Sequence, residues 1–152
     1  DDVMYAYDRW LIRGTAYNKF SPKDTFTRGM LLTILTRHDG VRTKDSTPWY
    51  ASGCDWAARN GISDGKNPEE AVSREEFALI LYRYAQYRGG YMLSGNDLSS
   101  FTDASAVSDA ALDAVQWAVS EAILRGDNFY LHPQSGATRA EAAAMLHRFF
   151  AR

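Results

Sequence analysis

Apolar residues recur along the chain with the spacing of an amphipathic α-helix in three separate stretches. In each stretch they occupy positions i, i+3, i+4 and i+7, which lie on one face of a helix. The three sets are Leu31, Ile34, Leu35 and His38; Phe77, Ile80, Leu81 and Tyr84; and Ala142, Met145, Leu146 and Phe149. The pattern predicts three helices that each bury one face, with His38 replacing an aromatic residue in the first.

A different apolar pattern lies upstream of these helices. In the last copy, one apolar stripe is formed by Leu112, Val115, Val119 and Ile123. A second apolar side of the same helix is formed by Trp117 and Leu124. A helix that is apolar on two sides is usually buried between neighbours. We therefore expect a first helix before each amphipathic second helix, and we expect the three first helices to form a central bundle.

The two patterns belong to a unit that occurs three times. Each unit has an aromatic-alanine pair, a glycine nine residues later, a proline, and a hydroxyl-arginine pair that begins the second helix. These elements are Tyr5-Ala6, Gly14, Pro22 and Thr27-Arg28; Trp56-Ala57, Gly65, Pro68 and Ser73-Arg74; and Trp117-Ala118, Gly126, Pro133 and Thr138-Arg139. The repetition predicts one domain over residues 1–152, with copies at about 1–42, 47–89 and 100–152 and a Gly/Ser-rich linker over 88–100.

Composition and charge narrow the classes of function. The 152 residues have a formal net charge of −2 and a pI of about 5.9, so no basic field is available for nucleic acid or an anionic membrane. No apolar run approaches the roughly 18–20 residues of a membrane-spanning helix. His38, His132 and His147 lack metal-ligand spacing, and we expect neither a metal nor a cofactor.

The start of each second helix carries residues suited to capping. Thr138 with Glu141, and Ser73 with Glu76, have the spacing of a capping box, in which each side chain binds a free amide of the other residue. Copy one has Met30 in place of the glutamate, which predicts the loss of half the box. Capping is the structural interpretation of the whole motif.

The arginine of the motif is harder to explain by capping. Arg28, Arg74 and Arg139 lie at the first helical position, where the helix dipole makes a cation mildly unfavourable. A guanidinium beside spare amides suits a carboxylate or phosphate. The alternative is a salt bridge to a nearby acid such as Asp103 or Asp109. Three further arginines, in the last turns, are interpreted as structural caps: Arg37, Arg83 and Arg148.

One segment of copy three resembles an S-layer homology repeat. The resemblance is carried by Phe101-Thr102-Asp103, Ala114-Val115-Gln116-Trp117-Ala118, Gly126, Pro133 and Ala137-Thr138-Arg139-Ala140-Glu141. Copy two has the related Ser73-Arg74-Glu75-Glu76. Copy one departs furthest, with Thr27-Arg28-Gly29-Met30 and no leading Phe-x-Asp. Together the three copies extend the resemblance over nearly the whole chain.

The resemblance implies an all-α fold in which three helix-loop-helix repeats have a pseudo-threefold arrangement around a central helical bundle, with grooves between them. It implies a secreted Gram-positive surface protein, located in the cell wall or S-layer, that binds a secondary cell-wall polymer through a pyruvylated sugar. A larger cargo protein is expected to continue from this chain, which begins abruptly at Asp1, and no membrane insertion is expected.

The ligand contacts that the resemblance implies centre on the motif. They are Arg28, Arg74, Arg139, Thr27, Ser73, Thr138, Trp56, Trp117 and Gly126. Trp56 and Trp117 are either a sugar platform or core residues. We expect the groove served by Arg139 to bind best, because copy three has the complete motif, and we expect the short loop of copy two to make its groove shallow.

Two other functions remain as alternatives. Catalysis by paired carboxylates needs two converging acids, whereas Glu69-Glu70 and Glu75-Glu76 are adjacent pairs with the character of solvated or capping residues. We therefore do not expect an enzyme in this chain. The other alternative is a helical module that binds a partner protein of the cell surface and no glycan, which would require an exposed apolar patch.

Overall fold

The computed structural model describes residues 1–16, 19–90 and 97–152, and these residues form six α-helices and no β-strand. Two short 3₁₀ turns, Ala104–Ala106 and Asp109–Ala111, precede the fifth α-helix. The helices are α1 (Asp2–Asp8), α2 (Arg28–His38), α3 (Ala51–Arg59), α4 (Arg74–Tyr87), α5 (Leu112–Ser120) and α6 (Arg139–Phe150). The predicted all-α class is confirmed, with α1, α3 and α5 as the first helices of the copies and α2, α4 and α6 as the second.

The second helices begin where the hydroxyl residues predict. The side-chain oxygens of Thr27, Ser73 and Thr138 each accept a hydrogen bond of 3.2 Å from the amide three residues later. A cap of this kind satisfies an amide that the first turn leaves open and typically contributes about 1 kcal/mol. The predicted inner faces are buried except at His38, which is exposed, and Phe77 and Leu146 are 0% exposed.

Each first helix packs against the second helix of a different copy. Helix α3 contacts α2, α5 contacts α4, and α1 contacts α6. The predicted central bundle of first helices is therefore wrong. The first helices have seven to nine residues, and the second helices, with 11 to 14, offer them a longer apolar face than another first helix could.

The second helices meet one another through aromatic side chains near their carboxyl ends. The His38 ring lies 5.8 Å from the Tyr84 ring and 4.4 Å from the Phe150 ring, measured between centroids. His38 Nδ1 and the Tyr84 hydroxyl are 2.5 Å apart, and burial raises the pKa of Tyr84 to about 12. His38 thus occupies the expected aromatic position and adds a hydrogen bond there.

A closed set of three backbone hydrogen bonds joins the copies just before their second helices. Phe26 donates to the carbonyl of Ala137 at 3.0 Å, Ala137 to that of Val72 at 2.8 Å, and Val72 to that of Phe26 at 3.1 Å. None of the three residues is more than 1% exposed. We call this feature the backbone triangle. It binds every copy directly to both others, while an exact threefold relation of the copies stays a prediction.

The predicted linker over residues 88–100 lies partly outside the described residues, which omit 91–96. At its start, Arg88 caps α4, and its Nη1 donates to Asp39 Oδ1 at 2.8 Å. Asp39 also accepts hydrogen bonds from Trp56 Nε1 at 3.2 Å and the Tyr87 hydroxyl at 2.8 Å. This carboxylate therefore ties the ends of α2 and α4 to α3. The boundaries of the copies stay predictions.

Candidate functional site

The first amides of the second helices are already occupied by protein carbonyls. In α6, the amides of Arg139 and Ala140 donate to the carbonyls of Asp24 and Pro22 at 2.9 and 3.0 Å. Helices α2 and α4 receive the carbonyls of Pro68 and Glu70 and of Pro133 and Ser135 in the same way. The helix termini therefore join one copy to the proline loop of another, and the sequence argument from spare amides at the helix start does not hold.

The motif arginines extend from the helix starts into the same neighbouring loops. Arg139 Nε donates to the carbonyl of Phe20 at 2.9 Å, and its Nη2 donates to the carbonyl of Arg13. Arg74 donates to two loop carbonyls of copy three, those of Leu131 and Arg125, each at 2.8 Å. Arg28 Nη1 donates to two of copy two, those of Asn67 at 2.6 Å and Lys66 at 3.5 Å. Arg74 and Arg139 are only 9% and 6% exposed. Each arginine fixes a loop in place and is itself held rigidly.

The three arginines differ in how their charge is compensated. Arg28 forms a two-pronged ion pair with Glu76, with Nε–Oε1 and Nη2–Oε2 distances of 2.5 and 2.6 Å, and this contact raises the pKa of Arg28. Arg74 Nη1 lies 3.7 Å from Glu141 Oε2. The salt-bridge alternative thus applies to these two copies, although with acids other than Asp103 or Asp109.

Arg139 has no such partner among the described residues. Burial lowers its pKa, and only the charge of Asp24 opposes that change. The position equivalent to Glu76 and Glu141 is occupied by Met30, whose thioether cannot carry a charge. Its sulfur instead accepts from the Thr27 amide at 3.5 Å, so both halves of the capping box are present in copy one and the predicted loss of half the box is wrong. Arg139 is consequently a buried cation without a carboxylate.

A cavity of about 260 Å³ opens beside this arginine, and we call it the Arg139 cavity. Arg13, Arg37 and Arg139 line it, together with Met30 and Trp49. The remaining wall is mostly apolar and consists of Leu11, Ile12, Gly14, Phe26, Thr33 and Ile34. None of these lining residues is acidic, whereas three are arginines. The cavity therefore has the charge and size to receive a small anionic group.

Sequence reasoning did not assign three of these residues to a site. Arg37 was interpreted as a helix cap, but its Nε donates to Thr43 Oγ1 at 2.7 Å, and its pKa is lowered by burial and by the nearby charge of Arg13. Trp49 is 46% exposed at the cavity. The recurrence of Arg37 at equal spacing in all copies was the available signal. Arg13 recurs only as Arg125, since copy two has Asp64 at that position, and Trp49 has no repeated counterpart. Only the packing of the copies brings Arg13 and Trp49 together.

An equivalent but smaller cavity lies in copy two. It has a volume of about 150 Å³ and includes Asp64, Glu76, Leu79 and Arg83. In the repeat these residues correspond to Arg13, Met30, Thr33 and Arg37 of the Arg139 cavity. The cationic Arg13 and the neutral Met30 of copy one are thus replaced by the acidic Asp64 and Glu76 in copy two. The loop between glycine and proline is also shorter in copy two.

The remaining predicted contacts have structural surroundings. The hydroxyls of Thr27, Ser73 and Thr138 serve as helix caps, and the reciprocal bond predicted from Glu76 to Ser73 is missing because Glu76 is paired with Arg28. Trp56 and Trp117 are 5% and 2% exposed and lie in the core, which corrects their assignment as a sugar platform. At Gly126, a Cβ would collide with the ring of Phe101, so glycine is required there for packing.

Neither a metal site nor a membrane-spanning helix is found in the described part of the chain. Within residues 1–16, 19–90 and 97–152, no three histidine, cysteine or acidic side chains lie close enough to hold a metal ion. In these three segments there is also no helix with the length and apolar character needed to cross a membrane.

Comparison with known proteins identifies a family for copy three. Residues 100–143 match the family model of the S-layer homology domain. This segment contains α5, the glycine-to-proline loop and the first part of α6 with Arg139 and Glu141. The match rests on the same residues that carried the resemblance in the sequence.

Several curated proteins are similar over almost the whole chain. The amylopullulanase of Thermoanaerobacterium thermosulfurigenes is 31% identical over 97% of the chain, and the endoglucanase of Bacillus sp. (strain KSM-635) is 29% identical over 95%. The surface-layer 125 kDa protein of Lysinibacillus sphaericus is 28% identical over 96%. The chain spans only 9%, 17% and 13% of the length of these relatives, so the similarity concerns one region of each.

Proposed function

The chain belongs to the S-layer homology family, whose members are associated with the cell surface, and we propose that it anchors a larger protein to the cell wall by binding an acidic secondary cell-wall polysaccharide. The observation that carries this proposal is the Arg139 cavity, which combines three arginines with no acid in its described lining. Burying a charge without a partner is unfavourable. An anionic group of the polymer would supply the missing partner.

The arginines of the cavity are suited to this role because they are held in place before the ligand arrives. Arg139 is fixed by two loop carbonyls and Arg37 by Thr43. A prearranged guanidinium loses little conformational freedom on binding, and its planar array of N–H groups matches a carboxylate. The half-exposed Trp49 ring lies at the same cavity, where the apolar face of a sugar ring can pack against it. A pyruvylated sugar has both a carboxylate and an apolar ring face.

The three copies are proposed to bind unequally. The copy-two cavity is small and contains Asp64 and Glu76, so it should disfavour an anion. Copy three should bind an anion with intermediate strength. Its cations lie close together, since burial and the nearby charge of Arg125 lower the pKa of Arg148, but Glu141 lies 3.7 Å from Arg74 and partly neutralises it. Arg139 is thus proposed as the main ligand-binding arginine. Arg28 and Arg74 are proposed to serve chiefly as structural contacts between copies.

The cargo is proposed to be a covalently attached part of the same protein. The relatives are several times longer than this chain, and they include enzymes that act on polysaccharides by name as well as a surface-layer protein. We propose that the catalytic or lattice-forming function of such proteins lies outside the region that this chain represents. The region itself would then supply attachment.

Arg37 provides the sharpest test of the proposed function, because Arg139 also supports the fold. A charge-assisted hydrogen bond contributes about 1.5–3 kcal/mol, so Arg37→Gln should weaken binding to a purified carboxylate-bearing cell-wall polysaccharide by about tenfold or more. The matched control is Arg83→Gln, the same change at the equivalent position of copy two, which should bind as wild type does. Binding can be measured by calorimetry, with melting curves to verify folding.

Chemical reduction of the polymer carboxylates tests the ligand side. The reduced polymer should bind at least tenfold more weakly than the native one. If both polymers bind equally, or if Arg37→Gln and Arg83→Gln behave alike, the anion cavity is not the binding site. If the wild-type chain binds no cell-wall polysaccharide at all, the alternative of a protein-interaction module gains support.

A further inference from the structure

One position of the motif, two residues after the arginine, determines the charge next to each junction between copies. It is occupied by Met30 in copy one, Glu76 in copy two and Glu141 in copy three. The side chain at this position lies beside the motif arginine of the preceding copy in the ring, so that Glu76 faces Arg28 and Glu141 faces Arg74. Met30 lines the cavity that contains Arg139.

In copy two the glutamate makes the contacts that an anionic ligand would make. Both carboxylate oxygens of Glu76 contact the Nε and Nη2 edge of Arg28, at 2.5 and 2.6 Å. A two-pronged pair is the preferred geometry between a guanidinium and a carboxylate. An external carboxylate would have to displace Glu76 before it could use the same edge.

Copy three shows an intermediate arrangement. Glu141 Oε2 accepts from the Thr138 amide at 3.1 Å and lies 3.7 Å from Arg74 Nη1. Its carboxylate therefore completes the capping box and still partly neutralises the arginine. A glutamate at this position can do both without moving the helix, which makes copy three a template for the same residue in copy one.

We propose that the glutamates at this position are internal competitors for the anionic group of the ligand, and that Met30 makes the Arg139 cavity available by removing that competitor. This inference rests on the proposed function and deepens it, because it names the residue that selects which junction binds. The ligand class is a polysaccharide with a carboxylate. The prediction from the complete motif of copy three is thereby revised, since Met30, the departure from the motif, favours binding.

The test is Met30→Glu with two matched controls. The introduced carboxylate should pair with Arg139 as Glu141 pairs with Arg74, and the affinity for a carboxylate-bearing cell-wall polysaccharide should fall tenfold or more. Met30→Gln has the same size and capping capacity without the charge, and it should bind within about threefold of wild type. Leu112→Glu adds the same charge at an apolar residue that is 37% exposed and does not line the cavity, and it should bind as wild type does.

Melting temperature supplies a readout that does not depend on the polymer. If the introduced carboxylate pairs with Arg139, Met30→Glu should melt above Met30→Gln at pH 7, and the difference should shrink at acidic pH because the stabilisation from a paired carboxylate is lost as that carboxylate becomes protonated. The inference would be overturned if the two Met30 variants melted equally, or if Met30→Glu bound the polymer as wild type does. It would also be overturned if Leu112→Glu lost as much affinity as Met30→Glu. A wild-type chain that binds no polymer would instead overturn the proposed function, while the melting comparison would still decide whether the internal pair forms.

Discussion

The cavities of copies one and two occupy equivalent places in the repeat and differ in their chemistry. Copy one places Arg13 and Met30 where copy two places Asp64 and Glu76, and its cavity is larger, at about 260 against 150 Å³. Both junctions nevertheless keep the helix cap and the two backbone hydrogen bonds that join the start of a second helix to a neighbouring proline loop. A few side chains thus change a neutralised joint into a cationic cavity while the backbone connections stay the same.

Substitution of the glycine in the turn beside each cavity should lower the stability of the domain more than any other change considered below. Gly65 has a φ of +72°, and a Cβ there would lie 2.6 Å from the carbonyl oxygen of Cys54. Gly14 has a similar clash, 2.7 Å from the Lys19 carbonyl oxygen, without a positive φ. We expect Gly65→Ala to lower the free energy of unfolding by about 3 kcal/mol and Gly14→Ala by about 2 kcal/mol. Urea titration measures both, and a less stable Gly14→Ala would contradict the ranking.

The Arg28–Glu76 pair should have the next largest effect. Glu76→Gln leaves the guanidinium, 13% exposed, without its carboxylate, and we expect a loss of about 2 kcal/mol, below the value for fully buried pairs. Met30→Gln at the equivalent position of copy one should change stability by less than about 0.5 kcal/mol. Denaturant unfolding at low salt provides the comparison. Equal effects of the two changes would show that the Arg28–Glu76 pair adds no net stability.

Substitution of Asp39 should lower the stability of the fold at a place outside the Arg139 cavity. Burial alone would raise its pKa, but hydrogen bonds from Tyr87, Arg88 and Trp56 outweigh this and lower it. The carboxylate therefore stabilises the fold above its unfolded pKa of about 3.9, and that contribution is lost as pH falls through the lower folded pKa. Asp39→Asn should cost about 1 kcal/mol at pH 7.

The pH dependence of that variant is the measurement that matters. Unfolding curves of wild type and Asp39→Asn should differ at pH 7 and converge as the pH falls through the lowered pKa of Asp39, where the wild-type carboxylate also becomes protonated. Polymer binding at pH 7 should be the same for both proteins. A large loss of binding in Asp39→Asn would mean that the cavity depends on the distant ends of α2 and α4.

The helices and their caps could be predicted from the sequence because they depend on local signals. The spacing of apolar residues predicted α2, α4 and α6, and the hydroxyl residues marked their starts. The recurrence of the arginine correctly indicated a role beyond capping. Two interpretations were wrong for the same reason: both the packing of the first helices and the availability of the helix amides depend on which copy lies next to which.

The candidate cavity was predictable only in part. Arg139 was selected from the motif, but its uncompensated charge follows from Met30, a residue 109 positions earlier in the chain. Arg13 of copy one and Trp49 of copy two enter the cavity with Arg139 because copies two and three both pack against copy one. Such contacts leave no periodic pattern in a single sequence, since they join residues that neither share a helix nor recur in every copy.

The backbone triangle has a consequence for how the domain can be divided. In an open array of repeats each unit contacts only its sequence neighbours, and a terminal unit can be removed while the others remain folded. Here Phe26, Val72 and Ala137 close a ring, and α1 packs on α6. Removing any copy breaks two of the three bonds and leaves a buried amide in one remaining copy and a buried carbonyl in the other without a partner. The three copies together are therefore the smallest unit that can be passed from one protein to another with its fold intact.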